Sequence, residues 1–300
     1  MPHPKFNTIM IETASRCDNH CPFCPVSYKP RSVSVLSIEI IYKILQELQA
    51  MDFRGQTHLH YYNEPLLDER LCSIIYMVTE MIPRSYSVIS TNGNHLTKPL
   101  LNSLRAAGLN NIVVNRYNPK VKSKRRFADT LKSTSSAWDS DGKAIVNGAR
   151  TFTISMVDKS GWLKHEVPKD RKHRLTNRSG NIPSFIPALT SPLKKKCVRP
   201  FRQLVINSEG DVVLCCNDYS AEVKFGNVNR MSLIDAWQST LANEYRRYLA
   251  VGNRNLKLCS RCDWDGGVMQ FNLKHMGKSP GVTTGRFQSK TPNKSSKPRS

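Results

Sequence analysis

No run of this sequence is long and apolar enough to cross a bilayer as a helix. The opening Met1-Pro2-His3-Pro4-Lys5 also lacks the apolar core of a secretory signal. Together these absences exclude a helical membrane protein from the expectation and suggest the cytoplasm. No internal repeat is visible, so a solenoid is not expected. Acidic side chains are scarce, with 23 Asp and Glu against 45 Lys and Arg, a formal net charge of +22. Such an excess suits a nucleic acid or another acidic partner, or simply a basic surface. The charge is spread over Lys120 to Arg126, Lys164 to Arg178, Lys194 to Arg202 and Lys274 to Arg299, which argues against one binding groove. After about residue 276 apolar side chains almost run out. Residues 276–300 are therefore expected to form a basic disordered tail.

Cysteine is not scarce: there are nine. In a cytoplasmic chain they argue for metal rather than disulfides, and their clustering towards two ends supports that reading. The first group is Cys17, Cys21 and Cys24, spaced C-x3-C-x2-C, with no further cysteine until Cys72. Thiolates at such spacing hold soft metals or iron–sulfur clusters. A site with three protein ligands keeps a position open for something else. The bland alternative is zinc, with His20 or a distant cysteine as fourth ligand.

The triad, with Phe23 just before its last cysteine, resembles the signature of radical S-adenosylmethionine (SAM) enzymes. The resemblance implies a [4Fe–4S] cluster whose open iron chelates SAM, and a 5′-deoxyadenosyl radical that abstracts hydrogen from a substrate. It also implies SAM contacts along the chain. Phe23 stands where the family places an aromatic beside the adenine. The run Tyr62-Asn63-Glu64-Pro65 is similar to the Gly-Gly-Glu-Pro turn that binds the SAM ammonium, with both glycines replaced. Glu64 keeps the carboxylate, and Asn63 would contribute a side-chain amide or carbonyl. Ser90-Thr91-Asn92-Gly93 resembles the turn beside the ligand, so Ser90, Thr91 and Asn92 join the expected set. Asn115 is placed to meet the ribose hydroxyls or the SAM carboxylate, and Arg178 to approach the adenine.

The second cysteine group is Cys197, Cys215, Cys259 and Cys262, in the patterns C-x12-G-x4-C and C-x2-C. It resembles the C-terminal SPASM or shorter twitch extension of radical SAM enzymes. The resemblance implies one auxiliary [4Fe–4S] cluster, because no cysteine follows Cys262. Cys216 is left over and could replace Cys215 as ligand. Structural zinc is again the alternative. Cys72 lies in a helical pattern and reads as a small buried hydrophobe.

Apolar periodicity alternates strands with helices over the first two-thirds. Strands are expected at Thr8–Glu12, Thr57–Tyr62, Tyr86–Ser90, Ile112–Asn115 and Thr151–Val157, and a sixth near Leu175-Thr176-Asn177. Ser37 and Thr97 look like helix N-caps, a helix is expected around Leu71 to Met81, and Gly108 looks like a helix-ending residue. Residues 118–148 read as part helix and part surface loop. Leu204–Ile206 and Val212–Leu214 flank a Gly-containing hairpin loop, and Ser232 could cap one helix running through Trp237 to Tyr248.

The expected architecture is an α/β partial (β/α)6 TIM-like barrel over residues 1–190. A small C-terminal β-hairpin/helix auxiliary-cluster domain over 191–275 would follow. The expected function is a radical SAM oxidoreductase or modifying enzyme, using an electron donor of flavodoxin or ferredoxin type. Peptide or protein modification is the leading substrate class. A nucleic-acid base and a small molecule such as a sugar or aminoglycoside are the alternatives. No peptide-binding domain precedes residue 8, so a leader peptide would dock elsewhere. A zinc-bound nucleic-acid-binding protein is the non-enzymatic competitor, and the chain is expected to be a monomer. No general base is singled out among Asp18, His20, Tyr61, Tyr62 and Arg116.

Overall fold

A computed structural model describes residues 6–116, 143–146, 152–158 and 175–267. Among them are nine strands: β1 Thr8–Ile11, β2 Gln56–His58, β3 Tyr86–Thr91, β4 Asn111–Arg116, β5 Lys143–Val146, β6 Phe152–Asp158, β7 Gln203–Ile206, β8 Asp211–Val213 and β9 Lys224–Asn227. They form one sheet in the order β5-β6-β4-β3-β2-β1-β7-β8-β9. The run from β6 to β7 is parallel throughout, whereas β5, β8 and β9 join it antiparallel.

Three helices fill the parallel connections: α1 Ile38–Ala50, α2 Leu71–Met81 and α3 Lys98–Ala106. Local chemistry sets their ends. Ser37 and Thr97 accept hydrogen bonds from the backbone N–H of Ile40 and Leu100. Gly108 follows α3 with φ +93°, a conformation that disfavours a side chain, and a Cβ there would collide with Thr79. Ile41, Ile44, Leu45 and Leu48 of α1 recur at helical spacing, and all are fully buried. With Ile74 and Ile75 of α2 they pack into the same core as Ile9 and Ile11 of β1. Removing each such side chain from water contributes roughly 1.5–3 kcal/mol.

The structure corrects four expectations. Leu175-Thr176-Asn177 is not a strand; it leads into a bend in which Arg178, Ser179 and Gly180 all have positive φ. The sixth parallel strand is instead β7, the first strand of the predicted hairpin, which lies beside β1 with Ile9 opposite Leu204. The single helix expected after Ser232 is two, α4 Leu233–Gln238 and α5 Thr240–Ala250. Ser239 adopts extended ψ and caps the second by accepting from Ala242 N. Finally, residues 143–146 within the unplaced segment form an edge strand. The rest of that segment and the expected tail lie outside the described residues.

The β7–β8 hairpin follows the sequence. Asn207 Oδ1 accepts from the N–H of Glu209 and of Asp211, and Gly210 turns the chain at φ +83°. No helix among the described residues is long and apolar enough to cross a membrane.

Candidate active site

The parallel strands β1 to β4 deliver their C-terminal ends to one side, where sheets of this kind place their sites. The segment after β1 carries Cys17, Cys21 and Cys24. Its own bonds shape it: Cys24 N donates to Cys21 O at 3.0 Å, Ser27 Oγ to Cys21 O at 2.8 Å and Tyr28 Oη to Pro22 O at 2.6 Å. The segment is tied to the turn after β3 through Asp18. Its carboxylate accepts from Asn92 Nδ2 at 2.7 Å and Asn94 Nδ2 at 2.9 Å, and it meets His95 Nε2 at 3.1 Å. Burial works to raise the Asp18 carboxyl, but these donors outweigh it and hold it below its ordinary range.

Glu64, after β2, is buried and reaches β3. It accepts from Thr91 Oγ1 at 2.6 Å, Asn92 N at 2.7 Å and Leu66 N at 3.1 Å. Burial nevertheless lifts its carboxyl above the usual range. Asn63 turns its oxygen to Tyr61 N at 2.9 Å, leaving Nδ2 buried without a hydrogen-bond partner. Asn115 at the end of β4 donates to Ser90 Oγ at 2.7 Å and Thr91 O at 3.2 Å, leaving Oδ1 in the same state. Buried polar atoms without partners are uncommon, and a water or a ligand can complete their bonding. The structure therefore brings Asn63, Glu64, Ser90, Thr91, Asn92 and Asn115 together on three adjacent strand ends.

Phe23 is packed, not free. It lies in a small second core with Leu175, Ile182 and Phe185, its ring 6.2 Å from that of Phe185, and Cys21 and Cys24 pack against this core. Arg178 follows it on the positive-φ bend, with a buried, unbonded Nε and a favourable field at Cys24.

Between the two cysteine groups lies a largely buried layer of which the sequence singled out only Tyr61 and Tyr62. Glu12 after β1 is paired two-pronged with Arg31, at 2.6 and 3.0 Å, and also accepts from Tyr62 N and Ser208. Tyr61, Tyr62 and Tyr219 stack edge to face, with ring centroids 4.5 and 4.9 Å apart. Tyr62 Oη donates to Cys216 O at 3.0 Å and Tyr219 Oη to Lys29 O at 2.7 Å. Glu12 carried no motif, and its role is visible only once β1 meets the loop after β7.

The second cysteine group surrounds a cavity. Cys197, Cys215, Cys259 and Cys262 line it, with Ser179, Arg199, Arg254 and Trp264 among the rest. Cys216 is not among the lining residues. Asn217 places its backbone N 3.5 Å from Cys215 Sγ and its Nδ2 3.5 Å from Cys262 Sγ. Its neighbour Asp218 is fully buried, and its carboxyl is pushed up to about 6 by that burial. Asn177 exchanges hydrogen bonds with Asp263, docking the bend at 178–180 onto the C-x2-C segment.

None of the nine cysteines is in a disulfide. Burial pushes Cys17 up to about 11 and raises Cys24, Cys197, Cys215 and Cys259 as well. As thiols alone these groups hold their protons, and a metal centre must displace them. Among the described residues no three His, Cys, Asp or Glu side chains are gathered as a single ion would require. A zinc ion needs its donors converging on one point, whereas each thiolate of an iron–sulfur cube binds its own iron. The donor sets fit the cube: three thiols on the first segment, and four around a cavity that also holds a buried cation, Arg199.

The chain also has known relatives. The family model described as Radical SAM superfamily matches residues 11–132, and SPASM, described as an iron–sulfur cluster-binding domain, matches 197–263. An S-adenosyl-L-methionine-dependent 2-deoxy-scyllo-inosamine dehydrogenase of Niallia circulans is 28% identical over 263 residues, spanning 86% of this chain and 93% of that protein. The crystal structure of BtrN in complex with AdoMet and 2-DOIA superposes with a TM-score of 0.69 at 26% identity, covering 88% of this chain and 95% of BtrN. BtrN in an open conformation gives 0.60 at 22%, over 86% and 92%, a likeness of fold. The two matched spans contain the two cysteine groups.

Proposed function

From the premise that this chain is a radical SAM enzyme with a C-terminal SPASM region, we propose that it oxidises an alcohol carbon of a small, amine-bearing cyclic polyol. The observation that carries this reading is the likeness to an inosamine dehydrogenase along 93% of that protein's length. It favours the small-molecule alternative over peptide modification, the class suggested by the SPASM resemblance.

Cys17, Cys21 and Cys24 would hold the SAM-binding cluster, and Cys197, Cys215, Cys259 and Cys262 the auxiliary one. When bound, these groups supply the hydrogen-abstracting radical and an acceptor for one electron. The chain's own residues position the reactants. The Glu64 carboxylate is suited to the SAM ammonium, since a cation beside it offsets the burial that now lifts it. Asn63 Nδ2 can donate to the SAM carboxylate, and Asn115 Oδ1 can accept from a ribose hydroxyl. Phe23 holds the segment bearing Cys21 and Cys24 against its small core, on the side assigned to the adenine. Tyr61, Tyr62 and Tyr219 form a dry layer that keeps water from the reacting carbon. The alcohol loses one hydrogen atom, one proton and one electron to give a ketone. The SAM-binding site draws one electron per turnover from a flavodoxin- or ferredoxin-like donor.

Anaerobically reconstituted protein, with dithionite, SAM and 2-deoxy-scyllo-inosamine, should yield 5′-deoxyadenosine, methionine and ketone in equal amounts. Cys17→Ala should abolish all three. If SAM is cleaved and no cyclic amino alcohol is oxidised, the substrate assignment is wrong.

A further inference from the structure

Arg199 is 3% exposed, yet neither its Nε nor its Nη1 has a hydrogen-bond partner. A buried cation in that state needs an anion nearby. It lines the cavity of Cys197, Cys215, Cys259 and Cys262, and its guanidinium lies 4.0 Å from the ring centroid of Trp264, which fixes its position.

Arg254 lines the same cavity but is committed elsewhere. Its three guanidinium nitrogens donate to the backbone carbonyls of Lys195, Trp264 and Lys196. Arg254 therefore builds the wall, whereas Arg199 leaves its charge and two donors available to whatever occupies the cavity.

We infer that Arg199 is the built-in counter-ion of the auxiliary cluster and raises its reduction potential, making it a better acceptor of the substrate's electron. This rests on the reading that the four C-terminal cysteines hold a [4Fe–4S] cluster. Four thiolates make that cluster a dianion when oxidised and a trianion after accepting one electron. A fixed positive charge at close range favours the second state over the first. The surroundings have little water to screen it. Asn217 acts in the same direction, with N–H groups aimed at the sulfurs of Cys215 and Cys262. Arg199 is thus a positioning and charge-setting residue; it does not touch the substrate.

The test uses the full chain carrying Cys17→Ala, Cys21→Ala and Cys24→Ala, so that only the auxiliary cluster is observed. Redox titration followed by electron paramagnetic resonance gives its midpoint. Arg199→Met should lower the reduced-to-oxidised ratio at a fixed potential about tenfold, equal to about 59 mV for one electron. Arg199→Lys, which keeps the charge, should stay within about threefold of the parent, roughly half that shift. An unchanged midpoint in Arg199→Met at full iron content overturns the proposal, as does an Arg199→Lys midpoint matching that of Arg199→Met. Should both variants lose the cluster, Arg254→Lys protein with Arg199 intact and 15N-guanidino arginine decides. A nitrogen coupling to the reduced cluster upholds the contact, and its absence refutes it. If the parent itself binds no iron and sulfide, the cluster reading fails and takes this proposal with it.

Discussion

At the end of β2, His58 and Glu64 are both buried, and burial acts on each against its charged form. His58 is pushed down from 6.5 to about 4. It is neutral in the fold near neutral pH, whereas the unfolded chain protonates below about 6.5. Its contribution to stability is therefore present above that value and is lost as pH falls towards 4. The full effect is on the order of 3 kcal/mol. Urea unfolding at about pH 7 and about pH 5 should show His58→Gln losing about 2 kcal/mol less than the wild type. Equal losses would show that His58 does not titrate in this way. Glu64 answers to its expected ligand instead. Glu64→Gln should weaken SAM binding about 10- to 100-fold, as expected for a charged hydrogen bond made neutral. Equilibrium binding to reconstituted protein measures this, and unchanged affinity would remove Glu64 from the site. The cysteines and the Asn63-Glu64 turn stand out as expected site residues because their patterns are short and local in sequence. Arg199 was hidden within the basic run Lys194 to Arg202, where nothing in the letters separates a buried guanidinium from the exposed Lys194, Lys195 and Lys196.

The elements divide along the same line. Ser37, Thr97 and Gly108 mark real helix ends because capping involves neighbours a few residues away. Gly108→Ala should destabilise by about 1–3 kcal/mol, through the left-handed backbone and the clash with Thr79. Chemical denaturation reads it directly. Ser239 was missed because apolar spacing continues from α4 into α5 and conceals a second cap. Ser239→Ala should lose about 1 kcal/mol. If it does not, the break between the helices is held by packing alone. Leu175-Thr176-Asn177 looks like a strand locally. Asn177, however, exchanges bonds with Asp263, and the next three residues turn left-handed, so a distant partner overrides the local preference.

The whole molecule shows what spacing could not encode. The sequence suggested a barrel followed by a separate hairpin, but β7 pairs with β1 and extends the same sheet. The tyrosine layer then joins the segment after Cys24 to the one after Cys215, through Tyr219 Oη on Lys29 O and Tyr62 Oη on Cys216 O. Tyr62→Phe should lower stability by about 0.5–1.5 kcal/mol while leaving the stack. Tyr62→Ala should cost about 3–5 kcal/mol, if it resembles other large aromatic truncations. A fragment ending at residue 190 should aggregate, because it leaves the backbone of β1 as an open, unpaired sheet edge. Light scattering of that fragment would show it, and a soluble monomer would mean β1 is protected without β7.

The same pairing has a consequence during synthesis. β1 leaves the ribosome long before its partner β7, which follows roughly 190 residues later, or about 10–40 s at ordinary elongation rates. Throughout that interval the nascent chain carries an unsatisfied row of amides and carbonyls. Slow translation, or a shortage of chaperone capacity, should therefore reduce the soluble yield of this protein more than a change in any surface side chain.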